Sequence, residues 1–380
     1  MTNLLADLAS LVAVAGLAHQ VIGSALVPQI TSAMAQAPIA LPPVSLLKPL
    51  YGSEPLLETA LESCFVLDYP ALQLVFGAAD PADPALAIVE RLRARYPDVD
   101  TAIVIGPDPQ GPNRKIGNLI NMFPAVKHDV LVISDADMHV PAHYLKAVVA
   151  SLLETGTGLV TSLYTGLPAT SRLPALLGAA QINHAFLPGA ALARRLGRQD
   201  CFGATMALHR EQLEAIGGFG SLVGYLADDN VLGRLILDSG KTIGLAPVLP
   251  ATSVAEQSLR DLAHHELRWA RTIRALVPAV YPGLVLQFPL FWAALGLLLS
   301  GLPTVGWALA LTAVVIRYAA ARRLERQLDV PRVATPWLLL IRDFFSAFVF
   351  VASYFSDTVE WRGYQLQADG GKSASGVLLH

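Results

Sequence analysis

The chain has 380 residues, 53% hydrophobic and only 15% charged; soluble domains carry about 25% charged residues, so a sizeable part of it is not built for water. Its net charge of −3 offers a nucleic acid no basic surface. Two cysteines, Cys64 and Cys201, exclude a disulfide framework or a zinc cluster and point to a reducing compartment.

Residues 4–27 form an apolar run, interrupted by Asp7, His19 and Gln20, that matches the ~20 residues needed to span a bilayer. A cleaved signal peptide is the alternative, disfavoured because no basic segment precedes the run. From 38 to 280, strand-like and helix-like segments alternate. Val44–Leu50 reads as a strand, Glu54–Val66 as a helix, Leu72–Ala78 as a strand, and Pro84–Tyr96 as a helix by its apolar spacing. Thr101–Ile105 and Val130–Ile133 read as short buried strands around a helix at Lys115–Phe123, with another helix at Pro141–Leu153. Such alternation predicts an α/β fold with a mostly parallel sheet, whose ligands bind beyond the carboxyl ends of the strands.

A longer apolar run, 283–316, is broken at residues 300–304 by Gly and Pro and reads as two helices joined by a turn. Arg317, Arg322, Arg323 and Arg326 follow it. A third run, 336–355, is interrupted by Arg342 and Asp343, which suggests a re-entrant or interfacial segment. Arg268, Arg271 and Arg274 immediately precede the membrane runs. The positive-inside rule then puts the central block on the cytoplasmic side and the N-terminus outside. The expected divisions are 1–30, 38–280, 283–356 and a tail, 357–380.

Acidic residues fall at or near strand ends. Asp80 and Asp83 follow the second strand and could accept hydrogen bonds from a nucleobase or ribose; Asp83-Pro84 is also an ordinary helix start. Asp135-Ala136-Asp137 directly follows Val130–Ser134, which sets two hard carboxylates at a strand tip, where one Mg²⁺ or Mn²⁺ could bridge them to a diphosphate. A solvated turn with helix caps is the plain alternative. His139 and His143 nearby are read as local polar residues, since Mg²⁺ does not favour imidazole. Asp228-Asp229 precedes a helix-like stretch at Val231–Leu237. Either it caps that helix or Asp229 is the base that takes a proton from an acceptor hydroxyl. In the segment Arg260–Arg274, Arg260, His264, Arg268 and Arg271 share a broad helical face suited to a diphosphate, though positive-inside charge explains the cluster as well. The segment 106–115 lacks the Gly-Lys-Ser/Thr ending of a P-loop, and no GxSxG or HExxH occurs.

Taken in order, DPADPA (80–85), SDADMHV (134–140), YLADDN (225–230) and HELRW (265–269) resemble the ceramide glucosyltransferase family, glycosyltransferase family 21. PPVSLLKPLYGSEPLLETALESCF (42–65), PNRKIGNL (112–119), CFGATMALHREQLEAIGGF (201–219) and EWRGYQL (360–366) extend the likeness over roughly 40–366. The resemblance implies a GT-A-type, Rossmann-like catalytic domain with an N-terminal transmembrane helix and a C-terminal membrane-helix cluster. It implies a UDP-sugar donor, a divalent metal, and inversion at the anomeric carbon. Carried over by position, Asp80, Asp83, Lys115, Asp135, His265, Arg268 and Trp269 would bind the nucleotide sugar. Asp135 and Asp137 would hold the metal, and Asp229 would be the base. Cys201, Asp228 and Trp269 would line the acceptor pocket. His265 departs from the family pattern, which has Gln or Arg there.

The Ala-rich composition looks bacterial, and the likeness to the bacterial hopanoid branch implies N-acetylglucosamine or glucose transfer to a hopanoid polyol in a bacterial inner membrane. Ceramide is the alternative acceptor. A processive polysaccharide synthase shares these motifs but usually needs more membrane helices. A transporter would carry ionisable groups along several spans, and a non-catalytic scaffold would bind no donor.

Overall fold

The computed structural model describes residues 2–31, 41–106, 110–301, 303–361, 364–367 and 377–378. Helix α1 spans Thr2–Thr31. Strand β1 (Val44–Pro49), helix α2 (Leu57–Phe65), β2 (Leu72–Ala78), α3 (Pro84–Arg95), β3 (Asp100–Ile105), α4 (Arg114–Met122) and β4 (Val130–Ser134) follow in strict alternation. Next come β5 (Met138–His139), α5 (Tyr144–Leu152), β6 (Thr157–Thr161), β7 (Thr165–Pro168), α6 (Leu173–Gln181) and α7 (Leu187–Arg195). The last two are joined by a π-helical turn at Ile182–Phe186. Then β8 (Thr205–His209), α8 (Arg210–Ala215), α9 (Asp228–Asp238), β9 (Thr242–Leu245) and β10 (Ala251–Val254) close the α/β part. Helices α10 (Leu259–Leu276), α11 (Pro289–Leu299), α12 (Thr304–Leu328) and α13 (Pro336–Ala352) complete the helical part.

The main sheet has seven strands in the order β3-β2-β1-β4-β8-β6-β9. Only β8 runs against the others, so six strands end at one edge and β8 begins there. That agrees with the expected mostly parallel sheet, and the order is that of a GT-A-type domain. Apolar layers cover both faces. One packs α2, α3 and α5 against the sheet, and the other packs α4 and α9. A small sheet, β5-β10-β7, sits beside the end of β4.

Several sequence boundaries shift. The helix expected from Glu54 starts at Leu57, because Leu56 takes a left-handed φ of 68° after Pro55. The helix expected from Pro141 starts at Tyr144, and the one expected from Val231 starts at Asp228. The break at 300–304 separates α11 from α12, although residue 302 lies outside the described residues.

Among the described residues, three helices are long and apolar enough to cross a membrane: Leu4–Thr31, Thr304–Leu328 and Pro336–Phe355. Helix α11 has 11 residues, about 16 Å at 1.5 Å per residue, too short to span alone. Together with the short helix Tyr281–Gln287, from which it bends by 79°, it forms a broken fourth candidate. Arg342 and Asp343 do not force the third run to the interface. Both are buried and face inward: Asp343 accepts from the Leu290 N–H at 2.9 Å and pairs with Arg317 at 3.4 Å. Gln20 is buried too and approaches Arg317 at 3.2 Å.

Candidate active site

The edge where the strands end collects the acidic groups. β1 has every residue buried, including a lone lysine, Lys48. A buried ammonium needs partners, and Lys48 Nζ donates to Ser134 Oγ at 3.1 Å and to the Asp135 carbonyl at 2.7 Å. These bonds clamp the turn that follows β4. On that turn Asp135 Oδ1 pairs with Lys115 Nζ at 2.5 Å. Asp137 Oδ2 accepts from Thr252 Oγ1 at 2.5 Å, while its carbonyl accepts from the Ser253 N–H at 3.2 Å. The small sheet thus holds Asp137 in place. Burial and the charge of Asp135 push the Asp137 carboxyl above the usual range.

Asp228 and Asp229 open α9, where the helix dipole favours negative charge. Asp229 Oδ2 accepts from the Gly203 N–H at 3.0 Å, and Oδ1 from the Asn230 N–H at 2.7 Å. A Cβ at Gly203 would lie 3.1 Å from that Oδ2, so only glycine permits the approach without displacement. Burial, then the neighbouring Asp228, raise the Asp229 pKa to about 6. Asp228 Oδ1 accepts from Asn113 Nδ2 at 3.1 Å, and Asn113 also donates to the Tyr225 carbonyl at 2.8 Å. Burial raises the Asp228 pKa against the pull of Lys115.

Lys115 joins the two acidic groups. Its Nζ meets Asp135 and also donates to the Gly203 carbonyl at 3.2 Å, beside Asp229. Burial alone would lower its pKa, but Asp135, Asp228 and Asp229 overcome that and hold it above the ordinary lysine value. Tyr164, just after β6, lies within the same field. Burial and the charges of Asp229, Asp135 and Asp137 raise its hydroxyl pKa, and Arg268 opposes them. Its ring packs on Phe186 at 4.9 Å, on the side of the helical part.

Helix α10 brings the last segment. Ser258 and Asp261 form a capping box at its start. His265 Nδ1 meets Glu256 Oε1 at 2.5 Å, and its ring lies edge-on to Trp269 at 4.3 Å.

The profile of the family described as glycosyl transferase family 21 matches residues 8–374. The chain belongs to this family. A ceramide glucosyltransferase of Candida albicans is 36% identical over 121 residues, 29% of this chain and 22% of that protein. Ceramide glucosyltransferase 3 of Caenorhabditis elegans is 23% identical over 85% of this chain and 72% of its own length. Among solved structures, a mannosyltransferase of Pyrobaculum calidifontis in complex with GDP-Man and Mn²⁺ covers 90% of this chain and 99% of its own at 21% identity, with a TM-score of 0.49.

Lys115, Asp135, Asp137, Asp228, Asp229 and Cys201 converge on one edge of the family 21 domain. Cys201 is buried in the apolar layer under α9; burial and the charges of Asp229 and Asp228 push its thiol pKa up. Asp83 caps α3 through the Ala85 N–H at 2.9 Å and also accepts from the Gly52 N–H at 2.9 Å, which ties down the loop after β1. Asp80 is exposed and accepts from the Ala82 N–H at 2.8 Å. The broad basic face expected on α10 is divided. Arg271 donates to the Thr358 carbonyl at 2.7 Å and Arg274 pairs with Asp357, so these two hold the tail. His139 bonds Ser253 at 2.8 Å, a local polar role.

Sequence reasoning missed Lys48, Asn113, Tyr164, Thr252 and Glu256. Lys48 had a visible signal, a single charge in an apolar strand; Thr252 had none, since its partner Asp137 is 115 residues away, whereas Glu256 lies only nine residues before its partner His265.

The donor set fits a hard divalent cation. Two carboxylates stand at one strand tip, and the charge of Asp135 bears on Asp137. Mg²⁺ commonly takes one or two carboxylates plus substrate phosphates. Among the described residues no three His, Cys, Asp or Glu side chains gather around one point, so the remaining ligands would come from the donor and water.

Proposed function

We propose that this chain transfers a sugar from a UDP-sugar to the hydroxyl of a membrane lipid, with inversion at the anomeric carbon. The observation that carries the reading is the joined acidic site: Asp229, held by two backbone N–H groups, shares Lys115 with the Asp135–Asp137 turn. Asp229 is the base. With a pKa raised to about 6 it is ionised at neutral pH yet basic enough to take the acceptor proton as the new bond forms. Asp135 and Asp137 would hold Mg²⁺ or Mn²⁺, which when bound would supply positive charge to balance a leaving diphosphate. Lys115, Arg268 and His265 surround that diphosphate, and Asp80 and Asp83 lie toward the nucleoside. Trp269, Cys201 and Asp228 border the acceptor.

The domain at 38–280 works on the cytoplasmic face, between the span at 1–30 and the helices at 283–356, with 357–380 as a tail. The curated relatives favour a sphingoid alcohol such as ceramide as acceptor. The hopanoid polyol rests on the resemblance of the sequence to the bacterial branch. Either lipid puts a hydroxyl at headgroup level and an apolar body in the bilayer.

Purified protein incubated with several UDP-sugars and a total bacterial lipid extract, followed by mass spectrometry, tests the reading. One added sugar on a lipid supports it and names donor and acceptor; a polymer would make the chain a processive synthase. No transfer from any donor overturns it. Excess EDTA stops the reaction and Mg²⁺ or Mn²⁺ restores it; full activity in chelator removes the metal role of Asp135 and Asp137.

A further inference from the structure

Glu266 lies inside the His265–Trp269 segment, two residues before Arg268. On a helix that spacing turns the two side chains about 160° apart. Arg268 bears on the Tyr164 hydroxyl, which also lies in the field of Asp229, Asp135 and Asp137. Glu266 faces away and is buried. Both of its carboxylate oxygens accept from Arg342 of α13, each at 2.7 Å. Arg342 is fully buried. It also donates to the Leu177 carbonyl of α6 at 3.3 Å and stacks on Phe345 at 4.8 Å. Ser346, one turn on, accepts from Arg342 at 3.2 Å and reaches Gln181 of α6 at 3.3 Å. The next residue, Asp343, holds α12 through Arg317 and α11 through the Leu290 N–H. Two adjacent residues of α13 therefore clamp α10 and α6 on one side and α11 and α12 on the other.

A two-pronged guanidinium–carboxylate pair fixes rotation and register, which apolar packing does not do alone. Buried pairs are not an efficient source of stability, since apolar residues of similar volume often replace them at no cost. What this pair supplies is geometry. We propose that Arg342 and Glu266 are positioning residues for sugar transfer: through their buried pair, α13 sets the rotation of α10 that presents Arg268, on the opposite face of that helix, to the acidic site. The inference rests on the function proposed above, and it makes an apolar helix outside the sheet part of the site's alignment.

The test compares the wild-type chain with the double variant Glu266→Met/Arg342→Met, which leaves no buried charge unpaired. Thermal unfolding in detergent and kcat and KM for the UDP-sugar are measured for both. A displacement near 1 Å can cost on the order of 10²-fold in rate. The expected result is a Tm close to wild type, with kcat down at least about tenfold and the donor KM raised. A folded double variant with wild-type kcat and KM overturns the inference. Should the double variant not fold, Arg342→Lys keeps the charge and loses the fork. Its kcat falls with Tm retained if the pair positions α10, and wild-type kcat in that variant overturns the proposal. Failure of the wild-type chain itself to transfer sugar removes the functional reading instead, so the two failures are distinguishable.

Discussion

The α/β part and the helical part distribute charge in opposite ways. Around the sheet, the layers are built from Val, Leu, Ile and Phe, and ion pairs such as Arg91–Glu58 and Lys127–Asp100 lie on the surface. In the helical part, Leu8, Leu11, Leu311, Val315, Phe348 and Phe355 are exposed, whereas Arg317, Arg342, Asp343 and Glu325 are buried. Water outside rewards the first pattern, and a hydrocarbon exterior rewards the second, where charges must find partners inside. The difference teaches that stability and activity depend on different electrostatics in the two regions. Around the sheet, buried charge occurs mainly at the strand tips, as Lys48 and Asp228; among the helices it occurs as pairs that join one helix to another, as Arg317–Asp343 and Arg342–Glu266.

The sharpest break of that comparison is at the strand-tip site. Asp229→Asn removes the proposed base and is expected to lower kcat by about 10²–10⁴-fold while UDP-sugar binding by calorimetry stays near wild type. Unchanged turnover would take Asp229 out of the base role. Arg317→Ala leaves Asp343 buried without its cation and is expected to destabilise the fold by about 3–5 kcal/mol, read as a lowered Tm in detergent. A shift of less than a degree would mean that water reaches that interior. The pH profile comes next. Because burial raises the Asp229 pKa to about 6, the carboxylate form is lost as pH falls through that value, and kcat should drop about tenfold per unit below it. A flat profile between pH 5 and 7 on the order of wild-type scatter would dissociate that group from the rate. The smallest effect belongs to the exposed pair: Glu58→Ala, which removes the partner of Arg91, should change stability by less than about 1 kcal/mol. A loss as large as that of Arg317→Ala would erase the contrast between the two regions.

Much of the site was legible in the sequence because it is built from short local signals. Asp135-Ala136-Asp137 follows an apolar strand, and Asp228-Asp229 opens a helix, so both could be placed at ends without any contact map. The apolar period of Pro84–Arg95 gave that helix to within one residue. The helices Thr2–Thr31 and Pro336–Ala352 were legible as the apolar runs 4–27 and 336–355, from length and hydropathy. The partner of Asp137, Thr252, was not legible, because 115 residues separate the two. His265 was read by analogy as a phosphate contact, and its bond to Glu256 appears only once α10 has folded back toward β10.

Local order and chemistry therefore came from the chain itself: alternating strands and helices, carboxylates at strand ends, and apolar runs long enough to leave water. Periodicity and hydropathy are sums over neighbours in sequence, so they survive without a fold. Tertiary structure alone decided which way β8 runs, that Lys115 joins Asp135 to the Asp228–Asp229 turn, and that Arg342 and Asp343 point inward. Each depends on groups brought together across tens to hundreds of residues, and a buried charge shows its purpose only beside the partner that makes burial tolerable.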